Sequence, residues 1–417
     1  MIQFLGQARV ERRWAGAFEH AGRQRGGDLR GVFGAVGQPD VVGGGRGKRG
    51  VVTTASYEAR VFGCRSAMPT AQALRLCPHA IVVPMRMDAY VAASREVREV
   101  LETFSPDIEP LSIDEAFVDL THVPVWQGRG CDAAVEIRSR IRERTRLTAS
   151  VGVSVNKFLA KVASDMNKPD GLSEIPHERA AAVLAPMKVT VLWGVGPKAA
   201  ARLERLGVHT VADLLAAPEP ALAEEFGTDA IAHWKRLAVG DDQRTVHVDR
   251  ANRSIGEERT FGDDIADPER LRAILLDEVE LAARSLRHDG LLCATVVVKL
   301  RRPDFRTFTR SRTLESPTDR TIELWEAARE LLEEFWMTSP GPLRLLGVSL
   351  QGLTDHAQGQ LFRPPERARA EKMDAVADAI AAKFGRRAIR RAGGMDDTDR
   401  TRRIDGSDAH ERGGQQT

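Results

Sequence analysis

The chain has 417 residues, 42% of them apolar, enough for about two to four domains with cores of their own, which excludes a peptide or a fibre. Sixty-one Lys and Arg face 59 Asp and Glu, a formal net charge of +2, so affinity for nucleic acid has to come from local basic faces and not from bulk charge. No run of about 18 apolar residues exists and the opening MIQFLGQARVERRW is too polar for a signal peptide, so neither a membrane span nor export is indicated and a cytoplasmic protein is expected.

Residues 1–40 are rich in Arg and Gly, above all between Gly22 and Gly31, and no apolar periodicity in them runs longer than a few residues, so this segment reads as poorly structured. From Val41 short apolar strands alternate with helical patterns, including the stripe Ala133, Ile137, Ile141 and the strand around 149–153, so residues 41–172 read as an α/β domain. Residues 173–240 carry Ala and Leu at helical spacing, punctuated by Gly, and read as a small all-helical domain. The polar stretch 241–252 reads as a solvated linker. In residues 253–353 the signals run strand 254–260, helix 268–287, strands 292–301 and 305–314, helix 319–336 and strand 343–351, a β-α-β-β-α-β order. In the tail, 354–417, a short amphipathic helix is expected at 373–384, and beyond Gly393 the chain is too polar to bury anything. Cys64, Cys77, Cys131 and Cys293 lie far apart with no CxxC pair, a spacing that suits reduced thiols.

Three segments carry residues suited to chemistry. In IEPLSIDEAFVDL, Asp114 and Glu115 sit between strand-forming apolar residues. Neighbours in a regular strand point to opposite faces, so both carboxylates reach one site only at a tight hairpin end or a bulge. Such a pair suits hard divalent cations, and a solvent-facing acidic turn is the plainer reading. Upstream, Thr54, Tyr57 and Arg60 recur at a spacing of three, which predicts one face of a helix just after a strand, with Thr54 near its N-terminus. A hydroxyl, a phenol and a guanidinium beside free backbone N–H groups can grip a polyphosphate, and an ordinary solvated helix start would look the same. Downstream, the helix in KFLAKVASDMNKPDG is stopped by Pro169 and Gly171, with Lys168 at its end, where it could equally serve the helix dipole.

Taken in this order, TTASYEAR, RSAMP, SIDEAF and KFLAKVASDMNKPDG closely resemble the Y-family translesion DNA polymerases of the bacterial DNA polymerase IV type, over about residues 41–362. The fold this resemblance implies is an α/β (α+β) right hand: palm and small fingers, a helical thumb with a helix-hairpin-helix, and a β-α-β-β-α-β little finger. It implies that Asp114 and Glu115 are the catalytic, metal-binding carboxylates, with two Mg²⁺ ions per site. It also implies that Thr54, Tyr57, Arg60 and Lys168 hold the triphosphate of an incoming dNTP. Primer-template DNA, dNTP and the replication sliding clamp are the implied partners of a monomer. Family members open on an apolar strand ending in a D-x-D-A-F-F-A type motif, which this chain lacks. Its nearest echo, Asp28-Leu-Arg-Gly-Val-Phe-Gly-Ala-Val36, would supply Asp28 as the third metal carboxylate and Phe33 as the gate against a ribose 2′-hydroxyl.

The residues agree with that likeness. The stretch from Leu192 to Gly207 reads as a helix-hairpin-helix, in which Gly194 and Gly196, beside Lys198, let backbone N–H groups reach a DNA phosphate. In LCATVVVKLRR alternation puts Val296, Val298 and Leu300 inward and Thr295, Lys299 and Arg301 outward. The next strand is read as presenting Arg306, Phe308, Arg310 and Arg312 outward too, giving two adjacent basic strands that can track a duplex. Gln358-Gly-Gln-Leu-Phe resembles a clamp-docking peptide, with Gln358 as hydrogen-bonding group and Leu361 and Phe362 as apolar anchors. The activity expected is template-directed, error-prone DNA synthesis. The rival reading is a catalytically silent DNA-binding adaptor that recruits other polymerases, and the N-terminal carboxylate separates the two.

Overall fold

The computed structural model describes residues 2–5, 38–44, 49–248, 252–355, 365–385, 388–389 and 391, with only the backbone for 2–5 and 365–368. The chain divides into two compact units, Met1–Arg250 and Ala251–Thr417.

The strands of the N-terminal unit are β1 (Ile2–Leu5), β2 (Asp40–Gly43), β3 (Val52–Ala55), β4 (Ile81–Val83), β5 (Ile108–Pro110), β6 (Glu115–Val118), β7 (Ser150–Ser154) and β8 (Leu172–Ile175). Five of them form one sheet in the order β5-β6-β1-β7-β8, and β3-β2-β4 form a small second sheet. All five positions of β7 are buried, because helices cover both faces of the sheet at that strand. On one face lies the helix Gly130–Thr145, whose Ala133, Ile137 and Ile141 stripe packs with Val118, Val151 and Leu101. Against the sheet also lies the helix Lys157–Met166, whose Phe158, Leu159 and Val162 share a core with Leu184, Leu192 and Leu203 of the helical segment that follows. Gly152 admits this close packing: a Cβ there would stand 2.0 Å from the carbonyl oxygen of Ala160 and 2.3 Å from the Ser164 nitrogen.

The expectation that residues 1–40 lack regular structure is corrected by β1. It runs antiparallel to both β6 and β7, with Leu5 opposite Glu115 on one side and Ser150 on the other. Four residues are too few to show an alternation in sequence. Their backbone groups nevertheless pair with two long-range neighbours at once, which supplies the partners that an isolated strand lacks.

The C-terminal unit holds β9 (Ser254–Ile265), β10 (Leu292–Arg301), β11 (Thr307–Thr318) and β12 (Leu343–Thr354), an antiparallel sheet in the order β11-β10-β12-β9. Helices Pro268–His288 and Thr321–Thr338 cover one face, completing the β-α-β-β-α-β order. A further helix, Pro365–Phe384, starts eight residues before the expected 373, because its opening PERARAEK carries no apolar stripe for the sequence to reveal. Its Asp374 accepts the Thr321 N–H at 3.0 Å, at the start of helix Thr321–Thr338. Its Asp378 takes Arg287 at 2.7 and 3.0 Å and Arg284 at 3.2 Å. No helix among the described residues is long and apolar enough to cross a membrane.

Candidate functional site

Asp114 and Glu115 stand at the end of the β5–β6 hairpin, the geometry that lets two adjacent carboxylates approach one site. The turn is closed by the Leu111 N–H donating to the Glu115 carbonyl at 2.9 Å. Asp114 is exposed, and Ser112 Oγ donates to its Oδ1 at 2.6 Å. Glu115, the first residue of β6, is partly buried and accepts from Lys161 Nζ at 3.0 Å. Lys161 was not singled out in the sequence. The signal was available: Lys157 and Lys161 lie one turn apart on a helix whose other residues are mostly buried.

Tyr57 and Arg60 share a face of the short helix Tyr57–Val61, with the Arg60 guanidinium 5.2 Å from the Tyr57 ring centre and its Nε donating to the Ala55 carbonyl at 3.0 Å. Thr54 departs from expectation. It belongs to β3, opposite Val42 of β2, and not to the helical face of Tyr57 and Arg60. The cause is Ser56, extended and accepting the Ala59 N–H at 3.2 Å, which caps the helix two residues after Thr54. Lys168 follows the helix that carries Lys161 and is paired with Asp165.

The stretch read as a solvated linker begins as a strap fixed to this same helix. The Asn156 side chain caps the helix through the Leu159 N–H at 3.0 Å and donates to the Gly240 carbonyl at 2.8 Å. Asp242, its side chain 2% exposed, accepts the Phe158 N–H at 3.1 Å. Lys157 and Glu109, each 5% exposed, form an ion pair at 2.5 Å. Lys157 also donates to the Thr245 carbonyl at 3.1 Å, and the same Glu109 oxygen accepts the His247 N–H at 2.9 Å. The Arg244 guanidinium lies 4.1 Å from the Trp193 ring centre.

Burial alone would push the Glu109 carboxyl up, but Lys157 and the His247 N–H outweigh it and hold it below the usual carboxylate range. In Asp242, with Arg244 and the Phe158 N–H, and in Asp170, with Arg138 and Arg142, partners likewise overcome burial and hold the carboxyls low. Groups whose folded pKa lies below the unfolded value stabilise fully above the unfolded value, and that stability is lost as pH falls through the folded one. The N-terminal unit is therefore expected to keep its denaturant midpoint from pH 7 to about pH 5 as far as these groups control it, and to lose it steeply below about pH 4. Midpoints measured across that range check this: burial also pushes the His233 imidazole down, so a smaller loss begins near pH 6.5, and a midpoint that stays unchanged below about pH 4 would contradict the carboxylate contribution.

In the helical segment, Gly194 has φ +95°, a conformation that favours glycine, and it stands against Trp234. Gly196 precedes the helix Pro197–Arg205 in open space, with Lys198 exposed in its first turn. In the C-terminal unit, Val296, Val298 and Leu300 are fully buried against the helices, which leaves Lys299 and Arg301 on the open face. The outward reading of the next strand is corrected. Arg310 pairs with Val298 and Arg312 with Val296, so both lie on the helix side of the sheet. Phe308 decides the matter by packing 5.3 Å from Phe335, ring centre to ring centre, inside the core. Arg312 pairs with Glu334 at 2.6 Å and with Glu330 of the covering helix, and the Arg310 guanidinium lies 5.5 Å from the Phe335 ring. Arg306 precedes the strand and pairs with Asp304 at 2.6 Å. The open face carries instead Thr307, Thr309, Ser311 and Thr313 beside Lys299 and Arg301, and Lys299 pairs with Glu258 at 2.6 Å.

Asp28 and Phe33, the peptide residues Gln358, Leu361 and Phe362, and the tail beyond Gly393 lie outside the described residues. Among the described residues no group of three or more His, Cys, Asp or Glu could hold a metal ion. The hairpin end brings two carboxylates, donors of the kind a hard divalent cation takes, and leaves further ligands to come from elsewhere.

The impB/mucB/samB family model matches residues 35–165, and the model of that family's C-terminal domain matches 252–361. The DNA polymerase IV of Halorhodospira halophila is 46% identical over 319 residues, covering 76% of this chain and 88% of that protein. That of Caulobacter vibrioides is 40% identical over 356 residues, covering 84% and 86%. Among solved structures, the Y-family DNA polymerase chimera Dbh-Dpo4(243-245)-Dbh aligns with TM-score 0.70 at 25% identity, over 85% of this chain and all of that one. An insertion ternary complex of Dbh DNA polymerase aligns with TM-score 0.58 at 25% identity, over 84% and 98%.

Proposed function

The chain belongs to the impB/mucB/samB family, as a translesion DNA polymerase of the DNA polymerase IV type, and from that premise we propose how its own residues carry the reaction. The observation that supports the proposal is the hairpin end, where Asp114 and Glu115 are adjacent and Lys161 holds Glu115 at 3.0 Å. Polymerases of this family depend on divalent metal ions. Asp114 and Glu115 would hold two Mg²⁺, with Asp28 as the third carboxylate. Bound there, such ions would supply activation of the attacking hydroxyl and neutralise charge on the reacting phosphate. Arg60, Tyr57 and Lys168 bind the triphosphate of the dNTP, Thr54 adds a hydroxyl from β3, and Phe33 would serve as the gate against a ribose 2′-hydroxyl. As the primer 3′-hydroxyl attacks the α-phosphate, Arg60 and Lys168 stabilise the charge that gathers on the departing pyrophosphate.

Primer-template DNA meets two backbone-reading surfaces. The turn Gly194–Gly196 with Lys198 offers N–H groups and a cation to one phosphate run. Lys299 and Arg301, with the hydroxyl row of β11, offer a second. Arg306 adds a cation at the strand's approach. The segment Gln358–Phe362 docks on the sliding clamp. Replacing Leu361 and Phe362 together by Ala is expected to lower clamp affinity at least about ten-fold, since such apolar anchors carry most of a short peptide's binding energy. Distributive synthesis on naked primed DNA should persist, and unchanged clamp affinity would refute the docking.

Primer extension by the full chain, with Mg²⁺ and dNTPs, beside Asp28→Ala tests the whole assignment. Extension by the parent and its loss in the variant is the expected result. Equal extension by both removes Asp28 from the site. No extension despite DNA binding would favour the silent adaptor.

A further inference from the structure

We propose that Glu109 and Lys157 are positioning residues of the polymerase, which fix where the chain leaves the N-terminal unit and so keep the tether to the C-terminal unit short. A buried ion pair alone argues little for such a role, because a pair of apolar side chains of similar volume commonly serves a core as well or better. This pair differs in what else it holds. Each charged head also takes a backbone group of the strap: Lys157 Nζ reaches the Thr245 carbonyl at 3.1 Å, and Glu109 Oε2 the His247 N–H at 2.9 Å. Asn156 and Asp242 fasten the strap's beginning in the same way, at Gly240 and at the Phe158 N–H. The stretch thus behaves as an added strand whose partners are side chains.

The consequence follows from chain length. His247, the last anchored residue, stands five positions before Asn252, the first described residue of the C-terminal unit, so the covalent tether spans at most about 17 Å. If the strap came free back to Gly240, the tether would grow to twelve residues, about 40 Å extended. Two surfaces that bind one DNA through a tether hold it with an effective concentration that falls roughly as the −3/2 power of tether length. Releasing the strap is therefore expected to weaken primer-template binding about four-fold without touching either DNA surface or the carboxylates. The DNA arm of this inference rests on the polymerase reading above.

A single Glu109→Leu change strands the Lys157 charge and is expected to unfold the unit, so the informative variant is Glu109→Leu with Lys157→Met, which removes both charges at similar volume. Hydrogen exchange on the full chain is expected to show amides 243–248 exchanging about ten-fold faster or more, with those of β5–β7 unchanged. Because Asp242 keeps its anchor on the Phe158 N–H, the tether in this variant grows to ten residues, so primer-template affinity should drop about three-fold while the single-turnover rate on saturating DNA stays as it was. A second protein, with five Gly and Ser residues inserted after Val248, has the same ten-residue tether with every anchor intact. It should lose affinity equally while exchange at 243–247 stays slow. Unchanged exchange in the double variant, or unchanged DNA affinity in either protein, would overturn the proposal. Failure of the unaltered chain to bind primer-template at all would instead sink the polymerase reading, because the exchange readout needs neither DNA nor catalysis.

Discussion

Asp114→Ala is expected to reduce single-turnover nucleotide incorporation about a thousand-fold or more, equivalent to about 4 kcal/mol of transition-state stabilisation. Asp114 is exposed at the hairpin end, where its carboxylate accepts from Ser112 Oγ and has no cation partner among the described residues. Removing it takes away one of the two carboxylates available to neutralise a divalent cation, and no third stands near enough among the described residues to compensate. Because the side chain is outside the core, the loss should be confined to chemistry. Primer-template affinity and the denaturant midpoint should match the parent within experimental error. Retained incorporation would remove Asp114 from the site, and a lost midpoint would assign it a structural role instead.

Gly152→Ala is expected to cost the N-terminal unit about 4 kcal/mol or more of stability. The added Cβ would lie 2.0 Å from the Ala160 carbonyl oxygen, a backbone atom, so no side-chain rotation relieves the overlap. The helix Lys157–Met166 would have to lift off β7. Lys157 and Lys161 ride on that helix, so their grips on Glu109 and Glu115 would loosen with it. Chemical denaturation should show the N-terminal unit unfolding first while the C-terminal unit is unmoved. An unchanged midpoint would mean that helix and strand do not approach so closely.

Much of this architecture was legible because it is local. The Ala133, Ile137, Ile141 stripe and the alternation of β10 each show within ten residues, and the β-α-β-β-α-β order of the C-terminal unit is a succession of such local signals. The location of Asp114 and Glu115 at a hairpin end was legible for the same reason. What alternation supplies, however, is parity and not side. It correctly grouped Phe308, Arg310 and Arg312, but only the apolar member could say that the group faces the helices. The Thr54 spacing misled because a spacing of three cannot show that a cap at Ser56 intervenes. β1 and the strap escaped for a different reason. Their stability comes from partners far along the chain, as with Glu109 and His247, 138 residues apart, and no local pattern encodes such a contact.

The inward-facing arginines of β11 have a consequence for self-association. β11 and β9 are the two edges of the four-stranded sheet, each twelve residues long, and edges of that length offer unpaired N–H and C=O groups on which a second chain could add a strand. Both edges carry charge on the side that an aggregating neighbour would have to bury. Arg310 and Arg312 stand there on β11, and Glu257 and Arg259, opposite Val348 and Leu346, stand there on β9. Glu330 and Glu334 hold Arg312, and Glu278 holds Arg259 at 2.9 Å, so these charges are satisfied within the folded unit and would be stripped of water by an incoming strand. The helix side of each edge thus carries charge that an added strand would have to desolvate.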